Sequence, residues 1–195
     1  DSGVRILTSL ILLAGTLMAE NWPGWRGPSG DGISSEKNLP THWSNTENIA
    51  WKTKLPGRGA SSPVVFGNRI FLTAFSGYGM SFANPGQKAD LKLHVLCFER
   101  DSGKLIWDKS IPASSASQNF TKRVADHGYA TGTPATDGEA VYAYCGVSGV
   151  VAYDMDGNLM WQADVGDGTA GFGSASSPVI YREMVYVNAS IESKT

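Results

Sequence analysis

Cys97-Phe98-Glu99-Arg100-Asp101-Ser102-Gly103-Lys104-Leu105-Ile106-Trp107 returns, one residue shorter, as Ala152-Tyr153-Asp154-Met155-Asp156-Gly157-Asn158-Leu159-Met160-Trp161. Both copies pass from a small residue through an aromatic and an acid to a turn centred on Gly, then to two apolar residues and a Trp. Gly103 stands four residues before Trp107, and Gly157 four before Trp161. A second element recurs beside the first: Ser62-Pro63-Val64-Val65, Thr133-Pro134-Ala135-Thr136 and Ser177-Pro178-Val179-Ile180. Seven residues after each Pro comes an apolar residue followed by an aromatic: Ile70-Phe71, Val141-Tyr142 and Val185-Tyr186. Two elements recurring in fixed order define an internal repeat.

Working outward, the alternation of apolar and polar residues predicts short strands. Ile49–Leu55 alternates and ends at Pro56-Gly57. Ser61–Phe66 and Arg69–Phe75 flank the turn Gly67-Asn68 as a hairpin. Leu91–Glu99 and Lys104–Ile111 flank Asp101-Ser102-Gly103. The second round predicts strands over Tyr129–Thr136, Ala140–Tyr144, Gly149–Asp154 and Leu159–Val165, and a third opens with Ser174–Tyr181 and Met184–Ser190. The fold class is therefore all-β: a β-propeller of four-stranded antiparallel blades, with about two and a half blades present and the ring incomplete. Trp51, Trp107 and Trp161 are 56 and 54 residues apart, beyond the roughly 40–50 residues of a typical blade. The surplus falls in two insertions, Ser76–Asp90 and Ala113–Gly128. In an up-and-down meander both emerge at the same end of the sheets, as does the Gly-rich stretch Gly166–Gly173. Loops on a rigid scaffold are where function concentrates.

Composition agrees with this class. Charged residues make up 17% of the 195 and glycines number 23, a turn-rich and weakly charged chain. A net charge of -2 gives no electrostatic case for nucleic acid or for an anionic membrane surface. Arg5, the apolar run Ile6–Ala14 and the small residues up to Ala19 have the plan of a secretory signal peptide over residues 1–19, its start truncated. That run falls short of the roughly 20 residues a spanning helix needs, so no stable membrane span is expected. The protein is expected to be exported, periplasmic or extracellular. Residues 20–48, rich in Gly, Pro and Ser, read as an irregular N-terminal segment, and residues 49–195 as the partial repeat domain. Cys97 and Cys145 both lie inside apolar strand patterns and are read as buried thiols.

The Cys97–Trp107 frame resembles the tryptophan-docking motif of quinoprotein propellers, Ala-x-Asp-x-x-Thr-Gly-x-x-x-Trp, with Cys97, Glu99 and Ser102 at the Ala, Asp and Thr positions. The second copy keeps Ala152, Asp154, Gly157 and Trp161 and drops the Thr position. Residues 22–191 resemble the pyrroloquinoline-quinone-like (PQQ-like) repeat proteins, of which the outer-membrane assembly lipoprotein BamB is a relative. The opening Trp22-Pro23-Gly24-Trp25-Arg26-Gly27-Pro28 is similar to the N-terminus of exported members from planctomycete-type bacteria. Trp51, Gly103, Trp107, Gly157 and Trp161 are read as structural docking residues, each ring lying on a Gly turn that has no Cβ to keep it off. The resemblance also implies a longer chain of six to eight blades, of which this one is a fragment, with residues 49–55 donated to the last blade and unpaired here.

The sequence leaves the chemistry open between an exported binding or scaffold propeller and a PQQ-dependent dehydrogenase oxidising an alcohol or sugar. The dehydrogenase reading follows from the resemblance, which would supply PQQ and calcium held by Glu, Asn and Asp. No position in this chain matches those ligands or the Asp base. Ligand-binding candidates are Arg58, His127, Tyr129 and Phe172, each at or just before an inner strand on the loop-bearing end. Arg58 and His127 would meet an anionic or carbonyl group there, and His127 is the natural acid or base. His42 and His94 lack companions at metal-ligand spacing, so no metal site is expected. A protein, peptide or glycan is the expected partner.

Overall fold

The computed structural model describes residues 19–166, 168 and 173–189. Two four-stranded meanders and a hairpin follow one another. The first blade is β1 (Val64–Phe66), β2 (Arg69–Ser76), β3 (Lys92–Glu99) and β4 (Leu105–Pro112). The second is β5 (Ala135–Thr136), β6 (Ala140–Tyr144), β7 (Val150–Asp154) and β8 (Leu159–Ala163), and the hairpin is β9 (Val179–Tyr181) with β10 (Met184–Tyr186). Every pairing is antiparallel and every sheet keeps sequence order. Both outer pairings carry a bulge at the same place in the repeat, Cys97/Phe98 and Ala152/Tyr153. The extra residue re-aims the Trp that follows the Gly turn. No helix among the described residues is long and apolar enough to cross a membrane.

The strand faces obey period two. Phe71, Val95, Cys97 and Trp107 leave blade one on the side that meets Val141, Ala143, Val151 and Tyr153 of blade two, and together they form the main core. Side chains of this size contribute about 1.5–3 kcal/mol each when fully buried. The opposite face of blade one carries Ala74, Leu96 and Phe98, with Leu55 laid over them. Both cysteines are buried free thiols.

Two further devices join the blades. At the turn end, Trp107 donates its indole N–H to the Met155 carbonyl at 3.0 Å. Its ring lies so close to the next turn that a Cβ on Gly157, at φ +83°, would come within 2.9 Å of it. Trp51 repeats the contact one step upstream, donating to the Arg100 carbonyl at 2.8 Å. Its ring would be 2.3 Å from a Cβ on Gly103. At the inner strands, the Ser62 amide donates to the Thr133 hydroxyl and the Thr133 amide to the Ser177 hydroxyl, both at 3.0 Å. The recurring Ser/Thr-Pro dipeptide is thus a head-to-tail joint. Its hydroxyl takes the N–H of the blade before it, and the Pro that follows has no N–H to leave unpaired.

These joints correct the expected inner strands. Pairing in blade two is confined to Ala135–Thr136 rather than Tyr129–Thr136. Thr131 and Thr133 are committed across the seam instead, to the Ser174 carbonyl and the Ser177 hydroxyl. Likewise β9 begins at Val179 rather than Ser174, and β10 ends at Tyr186. Residues 49–55 form no strand, having no partner edge among the described residues, and are held through Trp51 and Leu55. The N-terminal segment is less irregular than expected at one point. Trp22 exchanges two backbone hydrogen bonds with Val65 (2.8 and 2.9 Å), and the Pro23 carbonyl accepts the Thr136 amide at 2.8 Å. The segment therefore crosses from the inner edge of blade one to that of blade two.

Candidate functional site

The two insertions leave the same end of the sheets and pack on each other. Ser76–Asp90 begins where β2 stops. Its Tyr78 is buried and accepts the Phe120 amide on its hydroxyl at 3.0 Å. Phe120 and Tyr129 belong to the second insertion and its exit, and the Tyr78, Phe120 and Tyr129 rings lie 6.1–6.3 Å apart. Phe75 meets Tyr129 edge-on at 5.3 Å. Such pairs add about 0.5–1.5 kcal/mol beyond their area. Lys88 ties the loops again through the Ser115 carbonyl at 2.9 Å. Within the second insertion the sequence was read as loop, yet Lys122–His127 forms a helical turn, α1. Val124 and Ala125 are buried, and Gly128 at φ +77° ends the turn by donating to the Val124 carbonyl at 2.7 Å.

The sequence-derived candidates fall in different environments. Arg58 pairs with Phe75 through the backbone and turns its guanidinium to the Gly79 and Met80 carbonyls at 3.1 and 3.4 Å. It therefore orders the first insertion. Tyr129 donates its hydroxyl to the Gln118 carbonyl at 2.8 Å, and burial pushes the phenol far above its ordinary value. It is a fixed neutral donor. His127 closes α1 and is exposed, two residues before Tyr129. Phe172 lies outside the described residues. Of the docking set, Trp107 is 8% exposed and Trp161 is 38% exposed, resting on Tyr142 at 5.9 Å.

Between the second insertion, the turn after β6 and Ser174 lies a small pocket of about 40 Å³. Leu93, Val124 and Val147 supply apolar wall, and Ser117, Tyr129 and Ser174 supply polar edge. Cys145 also lines it, its thiol pushed up to about 12 by burial and hence uncharged at neutral pH. Among the described residues no charged side chain lines this pocket. PQQ carries three carboxylates, and its calcium needs anionic oxygen ligands. Among the described residues no three His, Cys, Asp or Glu side chains gather to hold a metal. The described groups of this pocket do not fit that cofactor pair.

One constellation could not be read from spacing. His94 on β3 lies 2.7 Å from the Ser76 hydroxyl through Nε2 and 2.7 Å from Asp108 through Nδ1. Period two puts all three on one face, since His94 pairs with Ala74 and Asp108 with Leu96. A neutral imidazole satisfies both partners by donating to the carboxylate and accepting the hydroxyl. The order is that of an acyl-transfer triad, but His94 is buried and the backbone at Gly57 closes on Ser76, where a Cβ would sit 3.3 Å away. The trio clasps three strands of one blade. Finding it requires the strand register, which the sequence pattern left one residue short, at Phe75 rather than Ser76.

The sequence model of one protein family, described as outer membrane protein assembly factor BamB (PQQ_2), matches residues 88–194. No curated protein matches the chain. Among solved structures, it is similar to a europium-containing methanol dehydrogenase at 15% identity and TM-score 0.47, covering 70% of this chain and 21% of that one. It is also similar to BamB from Moraxella catarrhalis at 11% identity and TM-score 0.35, covering 66% and 40%. The chain thus spans about a fifth and two fifths of these two structures.

Proposed function

Since the chain belongs to the outer membrane protein assembly factor BamB family of PQQ-like repeat propellers, we propose that it is an exported binding module holding a protein partner on its loop-bearing face. The observation that carries this is the packed pair of insertions. Two segments that break the repeat are locked together by Tyr78, Phe120 and Tyr129, the first being ordered by Arg58 as well, and yet leave Phe82 66% and Met80 40% exposed above them. Ordering two loops costs backbone entropy of about 1–2 kcal/mol per residue. Holding an aromatic out in water on top of them is what a recognition surface requires. Export, to the periplasm or beyond, is part of the same proposal, supported by the pattern of residues 1–19 and by the family.

Site-directed photo-crosslinking in the producing cells tests the reading. A benzophenone side chain at position 82 should capture a discrete protein adduct, and one at Lys104 on the turn end should not. Equal capture from both ends would count against it. So would saturable calorimetric binding of PQQ and calcium with turnover of an alcohol or sugar, which is the dehydrogenase outcome.

A further inference from the structure

We propose that the pocket between the second insertion and the turn at 145–147 is an anchor site for one uncharged aliphatic or aromatic side chain of an extended partner segment. This rests on the loop-face reading above. The cavity, about 40 Å³, is far below the roughly 300–1,000 Å³ of pockets that take drug-sized guests, and suits at most a single side chain. Its walls are Leu93, Val124 and Val147, and among the described residues no lining side chain carries a charge. A charged guest would give up its hydration there without finding a counter-charge.

Three glycines of the lining, Gly128, Gly146 and Gly173, have positive φ. At two of them a side chain would collide with neighbours: with the Phe75 ring at 2.3 Å from Gly128, and with Ser174 at 2.9 Å from Gly146. These turns are thus packed too closely to admit side chains, which fixes the backbone that frames the cavity. Polar edge remains at Ser117, Tyr129 and Ser174, enough to meet the backbone of an entering segment.

The pocket is joined to the exposed surface by a continuous aromatic wall. Tyr129 lines it, Phe120 packs on Tyr129 at 6.3 Å, and Phe82 packs on Phe120 at 5.5 Å. A segment that contacts Phe82 can therefore set a neighbouring side chain into the cavity.

The test is fluorescence anisotropy of Gly/Ser-flanked heptapeptides, with Leu, Phe, Asp or Lys at the centre, titrated with the full chain. The Leu and Phe peptides should bind at least tenfold more tightly than the Asp and Lys peptides. Val147→Trp, filling the pocket, should erase that preference, and Val147→Lys should move it towards Asp; circular dichroism checks that both are folded. Phe82→Ser should weaken all four peptides alike. Binding indifferent to the central residue, or a preference untouched by Val147→Trp, overturns the pocket while the Phe82→Ser effect leaves the loop face standing. Binding of free N-acetyl-leucinamide as tight as the Leu peptide, and insensitive to Phe82→Ser, would assign the site to a small neutral molecule and overturn the peptide anchor. No binding by any peptide or by the amide sinks both.

Discussion

Trp107 and Trp51 make the same contact in different company. Each lays an indole on a Gly turn and donates to a carbonyl of that turn, at 3.0 and 2.8 Å. Trp107 sits in the β4 pairing, between Phe71 at 5.8 Å and Tyr153 at 6.0 Å, and is 8% exposed. Trp51 lies on a segment with no strand partner and is only half-buried. The docking is therefore a local device made of a ring, a Cβ-free turn and one carbonyl, and it forms without sheet pairing. What sheet pairing adds is burial.

The largest effect should separate the two. Trp107→Ala should cost about 3–5 kcal/mol, as truncating a core aromatic does. Trp51→Ala should cost about 1 kcal/mol, the scale of one hydrogen bond and a partly exposed ring. Urea denaturation midpoints decide this, and equal costs would mean that the local contact carries the seam by itself. The glycines come next. Gly157→Ala and Gly103→Ala both force a side chain into left-handed backbone at about 1–2 kcal/mol. At Gly157 the Cβ also meets a ring held by the sheet, and Lys109 as well at 2.6 Å. At Gly103 the Trp51 segment can peel away. Global stability should fall further for Gly157→Ala, whereas Gly103→Ala should mainly raise proteolysis near residue 51.

Within one blade, His94→Leu should cost about 1–3 kcal/mol, the penalty for stranding polar partners in the Ser76–His94–Asp108 clasp. An undiminished midpoint would reduce the trio to coincidence. The smallest effect is at the turn between β5 and β6. Burial alone would push the Asp137 carboxyl up, but the Ala140 and Glu139 amides and the Tyr142 hydroxyl together hold it below its ordinary value. A depressed carboxyl stabilises the fold above its unfolded value of about 4 and loses that contribution as pH falls through the folded one. Asp137→Asn should cost about 0.5 kcal/mol at neutral pH, the group being largely exposed. Wild type and variant should converge in acid.

The turn end was legible in the sequence because repetition prints it twice. The Gly-to-Trp spacing, the bulge-bearing outer strand and the paired hairpins all follow from residues that recur. The loop end resisted for the opposite reason. Tyr78 stands in a single insertion, and a single insertion gives no hint of a partner. Its burial depends on Phe120, 42 residues away. Four aromatics, Tyr78, Phe82, Phe120 and Tyr129, in otherwise polar connections were the available signal. The pocket beside Cys145 needs three separate segments to meet, and no local pattern records that. The short inner strands were overestimated because alternation marks apolar positions and says nothing about which amides are already committed to hydroxyls.

The Ser/Thr-Pro joints have one more consequence. Ser62 gives to Thr133 and Thr133 gives to Ser177, a bucket brigade whose middle member both hands on and receives. Thr133 receives through its side chain and gives through its backbone, so the two joints are chemically independent. A lineage can therefore exchange the side chain at one seam without renegotiating the next.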